Sequence, residues 1–96
     1  MLIGVLTVEY ALHGNDSLKG KRRVANSVKQ KTRNTFNVSI AEVGTEDSLS
    51  RLRLAVVSVS NSERHLNSQL TKCLSHLEAC CAEEMVFSDI EYYGVD

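Results

Sequence analysis

Leu52-Arg53-Leu54-Ala55-Val56-Val57-Ser58-Val59-Ser60 is the stretch whose reading decides the fold. Read at a period of two, it puts Leu52, Leu54 and Val56 on one face and Ala55, Val57 and Val59 on the other. A strand apolar on both faces belongs at the centre of a sheet, with something packed against each side. Just upstream, Gly44 to Ser50 is a polar connection, and before it Asn37 to Thr45 predicts a partner strand through Val38, Ile40 and Val43. The apolar phase slips at Ala41-Glu42, which predicts a bulge there. Just downstream, Asn61 and Ser62 cap a helix whose seam of Leu66, Leu70, Cys73, Leu74, Leu77 and Cys81 keeps three-four spacing. A last strand runs from about Met85 to Tyr93.

The chain's first half supplies one more strand and one more helix. In residues 2 to 13, Leu2, Leu6, Val8, Tyr10 and Leu12 share one strand face, while Ile3, Val5, Thr7, Glu9, Ala11 and His13 share the other. His13-Gly14-Asn15-Asp16 predicts a turn, with Asp16 or Ser17 as the cap of the next element. From about Leu18 to Phe36 there is no proline. At 100° per residue Leu18, Val24, Ala25, Val28, Thr32, Thr35 and Phe36 gather on one side of a helix. Lys19, Arg22, Arg23, Asn26, Lys29, Gln30 and Arg33 gather on the other. Lys21 alone breaks this division, falling among the apolar positions.

The order is therefore strand, helix, strand, strand, helix, strand. Short connections and right-handed crossovers fold that order into an α+β split βαβ sandwich, the ferredoxin-like fold, with two helices on one face of a four-stranded antiparallel sheet. Its 96 residues make one domain, residues 1–96. The first and third strands become central neighbours, and their outer faces present Ile3, Val5, Ala55, Val57 and Val59. An apolar patch of that extent is unusual on a monomer, so these residues are expected to form a homo-oligomer interface, with a second copy of the chain as cover.

Composition bounds the function. Hydrophobic residues make up 43% and charged residues 24%, as in an ordinary globular domain. No apolar run reaches the length of a membrane span, and Leu2 to Val8 has no basic flank and runs into Glu9, so neither membrane insertion nor export is expected. Cys73, Cys80 and Cys81 are an odd number crowded near one end, which is no disulfide framework and fits a reducing, cytoplasmic setting. The net charge of −1 conceals a strong asymmetry. Lys19, Lys21, Arg22, Arg23, Lys29, Lys31 and Arg33 lie between Leu18 and Ala41 without one acid, whereas after Lys72 there are six acids and no Lys or Arg.

Several elements resemble the YlxP-like family, domain of unknown function 503. They are Ile3-Gly4-Val5-Leu6, Ser17-Leu18-Lys19-Gly20-Lys21-Arg22, Phe36-Asn37-Val38-Ser39 with Ala41-Glu42, and Val57-Ser58-Val59-Ser60-Asn61. The similarity runs over nearly the whole chain, and the Ser-Leu-Lys-x-Lys-Arg element is its most specific part. It implies a small bacterial cytoplasmic protein with a ferredoxin-like fold and no established activity, often encoded beside translation and ribosome-maturation factors. One departure lies near Asp47: Leu49 and Ser50 precede Arg51 where the family pattern has Trp and Gln.

No catalytic constellation is visible. His13, His65 and His76 lack a Ser or Asp partner at diagnostic spacing, and no phosphate-cradling glycine loop or nucleophile elbow occurs. Cys73, His76 and Cys80 share a helix side but have no fourth ligand, so buried thiols are expected and no metal. Neither enzyme activity, a small-molecule substrate nor a cofactor is expected. Glu42, Glu46 and Asp47 either receive a cation or pair with Arg51 and Arg53, and the pairing is the expectation. The basic helix face is the binding candidate, with Lys19, Arg22, Arg23, Lys29 and Arg33 as a stripe facing the phosphates of RNA or of the ribosome. The alternative is a homo-oligomeric or adaptor module whose basic helix meets an acidic protein surface such as Glu83, Glu84, Asp89 and Glu91. For Lys21 the expectation is divided. It either joins Ser17, Lys19 and Arg22 around a phosphate or sulfate at the helix N-terminus, or snorkels, or pairs with Glu42.

Overall fold

The computed structural model describes residues 1–96. It runs β1 (Leu2–Ala11), α1 (Leu18–Thr35), β2 (Ser39–Glu42), β3 (Arg51–Ser60), α2 (Glu63–Ala79) and β4 (Glu84–Gly94). The four strands form one sheet in the order β2-β3-β1-β4, antiparallel throughout. This is the ferredoxin-like arrangement. β3 and β1 occupy the centre, aligned from Leu2 opposite Ser60 to Ala11 opposite Arg51.

Alternation builds the core. The inward faces of β1, β2 and β3 contribute Leu6, Val8, Tyr10, Ile40, Leu52, Leu54 and Val56. α1 adds Ala25 and Val28, and α2 adds Leu66, Leu70, Cys73 and Leu77, so both helices cover the same face. Tyr10 is fully buried with its hydroxyl donating to the carbonyl of Leu77 at 2.7 Å, and no buried side-chain N or O atom lacks a partner. Gly4 lies on the inward face where α2 crosses β1. A Cβ there would overlap Leu70 Cδ1 and come within 3.1 Å of Leu66 Cγ, so the bare backbone lets the helix sit close.

Both helices start on serine caps. The Ser17 hydroxyl accepts from the Gly20 amide at 3.0 Å, and that of Ser62 accepts from the His65 amide at 3.2 Å. The helices are also clasped to each other. Thr32 Oγ1 donates to the Val28 carbonyl and lies 3.1 Å from His76 Nε2, whose ring meets Phe36 edge-on at 5.3 Å.

Two expectations about the strands change. β2 spans four residues rather than the nine read from Asn37 to Thr45, and its register to β3 runs without interruption from Ser39 opposite Val57 to Glu42 opposite Leu54. No bulge occurs at Ala41-Glu42. The irregularity falls instead between β1 and β4, where Glu9 faces Phe87 and Tyr10 faces Met85, with Val86 as the extra residue. The apparent phase slip in β2 has another origin. Glu42 keeps the inward phase of Ile40 and points at Lys21.

Candidate nucleic-acid interface on the first helix

The outward side of α1 carries the basic stripe. Lys19, Arg22, Arg23 and Arg33 are exposed and Lys29 is half-buried at its margin, with Asn26 and Gln30 between them. At 1.5 Å per residue, Lys19 to Arg33 covers roughly 21 Å along the helix axis. The first turn of α1 contains no acid. The ion pairs of the structure are His13–Glu84, Lys21–Glu42, Arg51–Glu9 and Arg53–Glu9, so none of these five cations is neutralised by a carboxylate. Arg33 spends one guanidinium N–H on the Ile40 carbonyl at 3.1 Å, which ties the far end of the stripe to β2. Lys31 stands apart, beside Arg23, Cys80 and Cys81 in a cleft between α1 and the end of α2.

Lys21 does not belong to this stripe. It is 2% exposed, and its ammonium meets the Glu42 carboxylate at 2.7 Å and the carbonyls of Thr45 and Ser48. Three acceptors match the three donors of an ammonium group. The phosphate or sulfate cradle of Ser17, Lys19, Lys21 and Arg22 therefore loses Lys21, which has no donor left, while the Ser17 oxygen accepts from the Gly20 amide to cap the helix. Lys19 and Arg22 remain exposed. The same network orders the connection after β2. Glu42 also accepts from Thr45 Oγ1 at 2.7 Å, and Thr45 Oγ1 accepts from the Arg53 amide at 2.9 Å. Asn15 Nδ2 holds the far end through the Leu49 carbonyl at 2.6 Å.

This network affects the stripe indirectly. Arg22 and Lys29 share a cleft of about 440 Å³ with Glu42 and Glu46. Lys21 compensates the Glu42 charge from inside, and the Glu46 carboxylate accepts from the Gly44 amide at 3.1 Å.

Arg51 and Arg53 do not pair with Glu42, Glu46 or Asp47. Both reach Glu9, at 3.1 and 2.9 Å, because the outward phase of β3 places Arg53 directly opposite Glu9 while Glu42 faces inward. The Arg53 hydrogen bond, with Arg51 in support, holds the Glu9 carboxyl below its ordinary value. Arg53 also lies 5.0 Å from the centre of the Phe87 ring. Sequence reading missed this group, although the register of two outward-facing residues would have found it. Ile3, Val5, Ala55 and Val57 are half-buried on the same open face and Val59 is 60% exposed, where strand alternation places them. β4 adds Phe87, Asp89, Glu91 and Tyr93 by register.

The thiols are unbridged. Burial pushes the buried Cys73 up to about 11, and burial likewise raises the half-buried Cys80 and Cys81. His76, between them on α2, is engaged with Thr32. No helix is long and apolar enough to cross a membrane.

A family model described as a protein of unknown function, DUF503, matches residues 3–90. The uncharacterized protein YlxP of Bacillus subtilis (strain 168) is 28% identical over 92 residues, covering 96% of this chain and 100% of that protein. A structural-genomics structure of a protein YJCS superposes with a TM-score of 0.52 at 11% identity, covering 98% of this chain and 99% of the other. That likeness concerns the fold.

Proposed function

The chain belongs to the DUF503 family of proteins of unknown function, and from that premise we propose that it is a binding module for structured RNA, free or in the ribosome, acting through the outer face of α1. Five cations along one side of a helix, none paired with an acid, carry this reading. Exposed helices ordinarily interleave charges of both signs, and a single-sign stripe raises the local potential for an anionic partner. The contacts it offers are to phosphates. Phe36 is half-buried against His76, and Phe87, Tyr92 and Tyr93 all lie on β4, so no aromatic platform for stacking bases adjoins the stripe. A backbone-reading surface suits folded or double-stranded RNA better than an unstacked single strand. A cytoplasmic setting, where RNA and unbridged thiols coexist, goes with this role, which requires neither catalysis nor a cofactor.

Filter binding with a structured RNA at low and moderate salt tests it. Retention at low salt that weakens steeply as salt rises is the expected result, since each neutralised phosphate releases counterions. No retention at low salt overturns the reading. If the chain then self-associates in a salt-sensitive way, the acidic end of a second copy, Glu83 with Glu84, Asp89 and Glu91 of β4, becomes the better partner for the helix.

A further inference from the structure

The geometry points to a second function of the sheet: two copies of this chain pair through their open faces, about a two-fold axis running along the strands between β1 and β3. Strand register sets the surface out in rows. Val59, Ile3 and Tyr93 form one row; Val57, Val5 and Glu91 the next; Ala55, Thr7 and Asp89 a third; Arg53, Glu9 and Phe87 a fourth. A two-fold axis along the strands keeps each row at its own level and exchanges β3 with β1. Val59 then meets Ile3 of the second copy, Val57 meets Val5, and Ala55 meets Thr7. In the fourth row Arg53 meets Glu9, and Glu9 meets Arg53.

Two other placements of the axis fail on charge. Set across the strands through the second row, it brings Glu91 against Glu91. Set along β1 itself, it brings Glu9 against Glu9 and lays Val57 on Glu91. Like charges face to face are costly at an interface, whereas the axis between β1 and β3 repeats the favourable Glu9–Arg53 pairing between copies. It also places Asp89 and Glu91 over Ala41 and Ser39, the uncharged outward residues of β2.

The area is sufficient. Strands about 4.8 Å apart rising about 3.4 Å per residue give this face roughly 500 Å², so a pair buries on the order of 1,000 Å², the lower range of specific interfaces. The twist of each sheet inclines the two strand sets by about 30°, which preserves the matching near the axis. The helices cover the opposite side of each sheet, so both basic stripes stay outside the interface, one on each outer surface.

Sedimentation equilibrium without nucleic acid tests this independently of the RNA reading. At about 100 µM, where an interface of this size with micromolar affinity is occupied, the native chain is expected to be dimeric. Val59→Lys alters a side chain that is already 60% exposed, so it leaves the fold intact and is expected to yield monomer. Arg53→Glu alone and Glu9→Arg alone are each expected to be monomeric, with folding checked by circular dichroism. An equimolar mixture of the two then recovers a heterodimer, because the opposed charges are complementary between copies although repulsive within each. A native monomer at that concentration, a dimeric Val59→Lys, or folded charge variants that do not recover on mixing would each overturn the proposal. RNA retention by a monomer leaves the role of α1 standing, and a dimer that ignores RNA leaves the interface standing.

Discussion

Lys21 carries a charge into the interior because Glu42, Thr45 and Ser48 supply one acceptor for each of its N–H bonds. Removing one partner of a buried pair costs more than the pair contributes, since Glu42 is left without its counter-charge and the two carbonyls without a donor. Lys21→Ala is therefore expected to destabilise the fold by about 3 kcal/mol in urea unfolding. A loss below about 0.5 kcal/mol would mean that the connection after β2 does not depend on it. Glu9 makes the opposite kind of pair, on the surface with two arginines. Its carboxyl is held below the ordinary value near 4.5, first by the Arg53 hydrogen bond. A depressed carboxylate contributes stability that is present above its unfolded value and lost as pH falls through its folded value. The stability difference between the native chain and Glu9→Gln should thus be present at neutral pH and shrink as pH drops below about 4.5; a difference unchanged at about pH 3 contradicts the pairing.

At the scale of elements, the docking of α2 on β1 depends on the absence of a side chain at Gly4. Gly4→Ala pushes a methyl group into Leu70 and against Leu66 in a filled core, and is expected to lower stability by 1–3 kcal/mol, read as a lower denaturation midpoint with unchanged slope. The element order and the central position of β3 were legible because Leu52 to Val59 is apolar on both faces, a pattern that few other positions in a small sheet accommodate. The helix starts were legible to within a residue from Asp16-Ser17 and Asn61-Ser62, and it is the hydroxyls of Ser17 and Ser62 that accept from amides three residues on. Strand length in β2 was not. Val43 and Thr45 look like strand residues, but the chain leaves the sheet at Glu42 so that the Thr45 and Ser48 carbonyls can reach Lys21. The bulge was misplaced for a related reason: a charged residue at an inward position imitates a change of phase. The basic stripe was legible as a helical pattern, whereas the partners of Arg51 and Arg53 depended on register between strands far apart in sequence.

Over the whole molecule the two faces divide the work. The helical side presents unpaired cations to solvent, while the open side of the sheet presents aliphatic side chains bordered by Glu9 with its two arginines and, on β4, by acids. That division means that the proposed RNA-binding surface and the proposed self-association surface share no residues. It also makes the role of α1 a quantitative question, since counterion release counts phosphates. Five contacts predict a log–log dependence of RNA affinity on salt with a slope of about −4.5. The most direct measurement is that slope for the native chain and for the Arg22→Gln, Arg33→Gln double variant, whose side chains are exposed on α1 and can be changed without opening the core. The slope should fall in magnitude by about two while RNAs of different sequence weaken alike. An unchanged slope and affinity in the folded double variant would contradict a phosphate-facing α1.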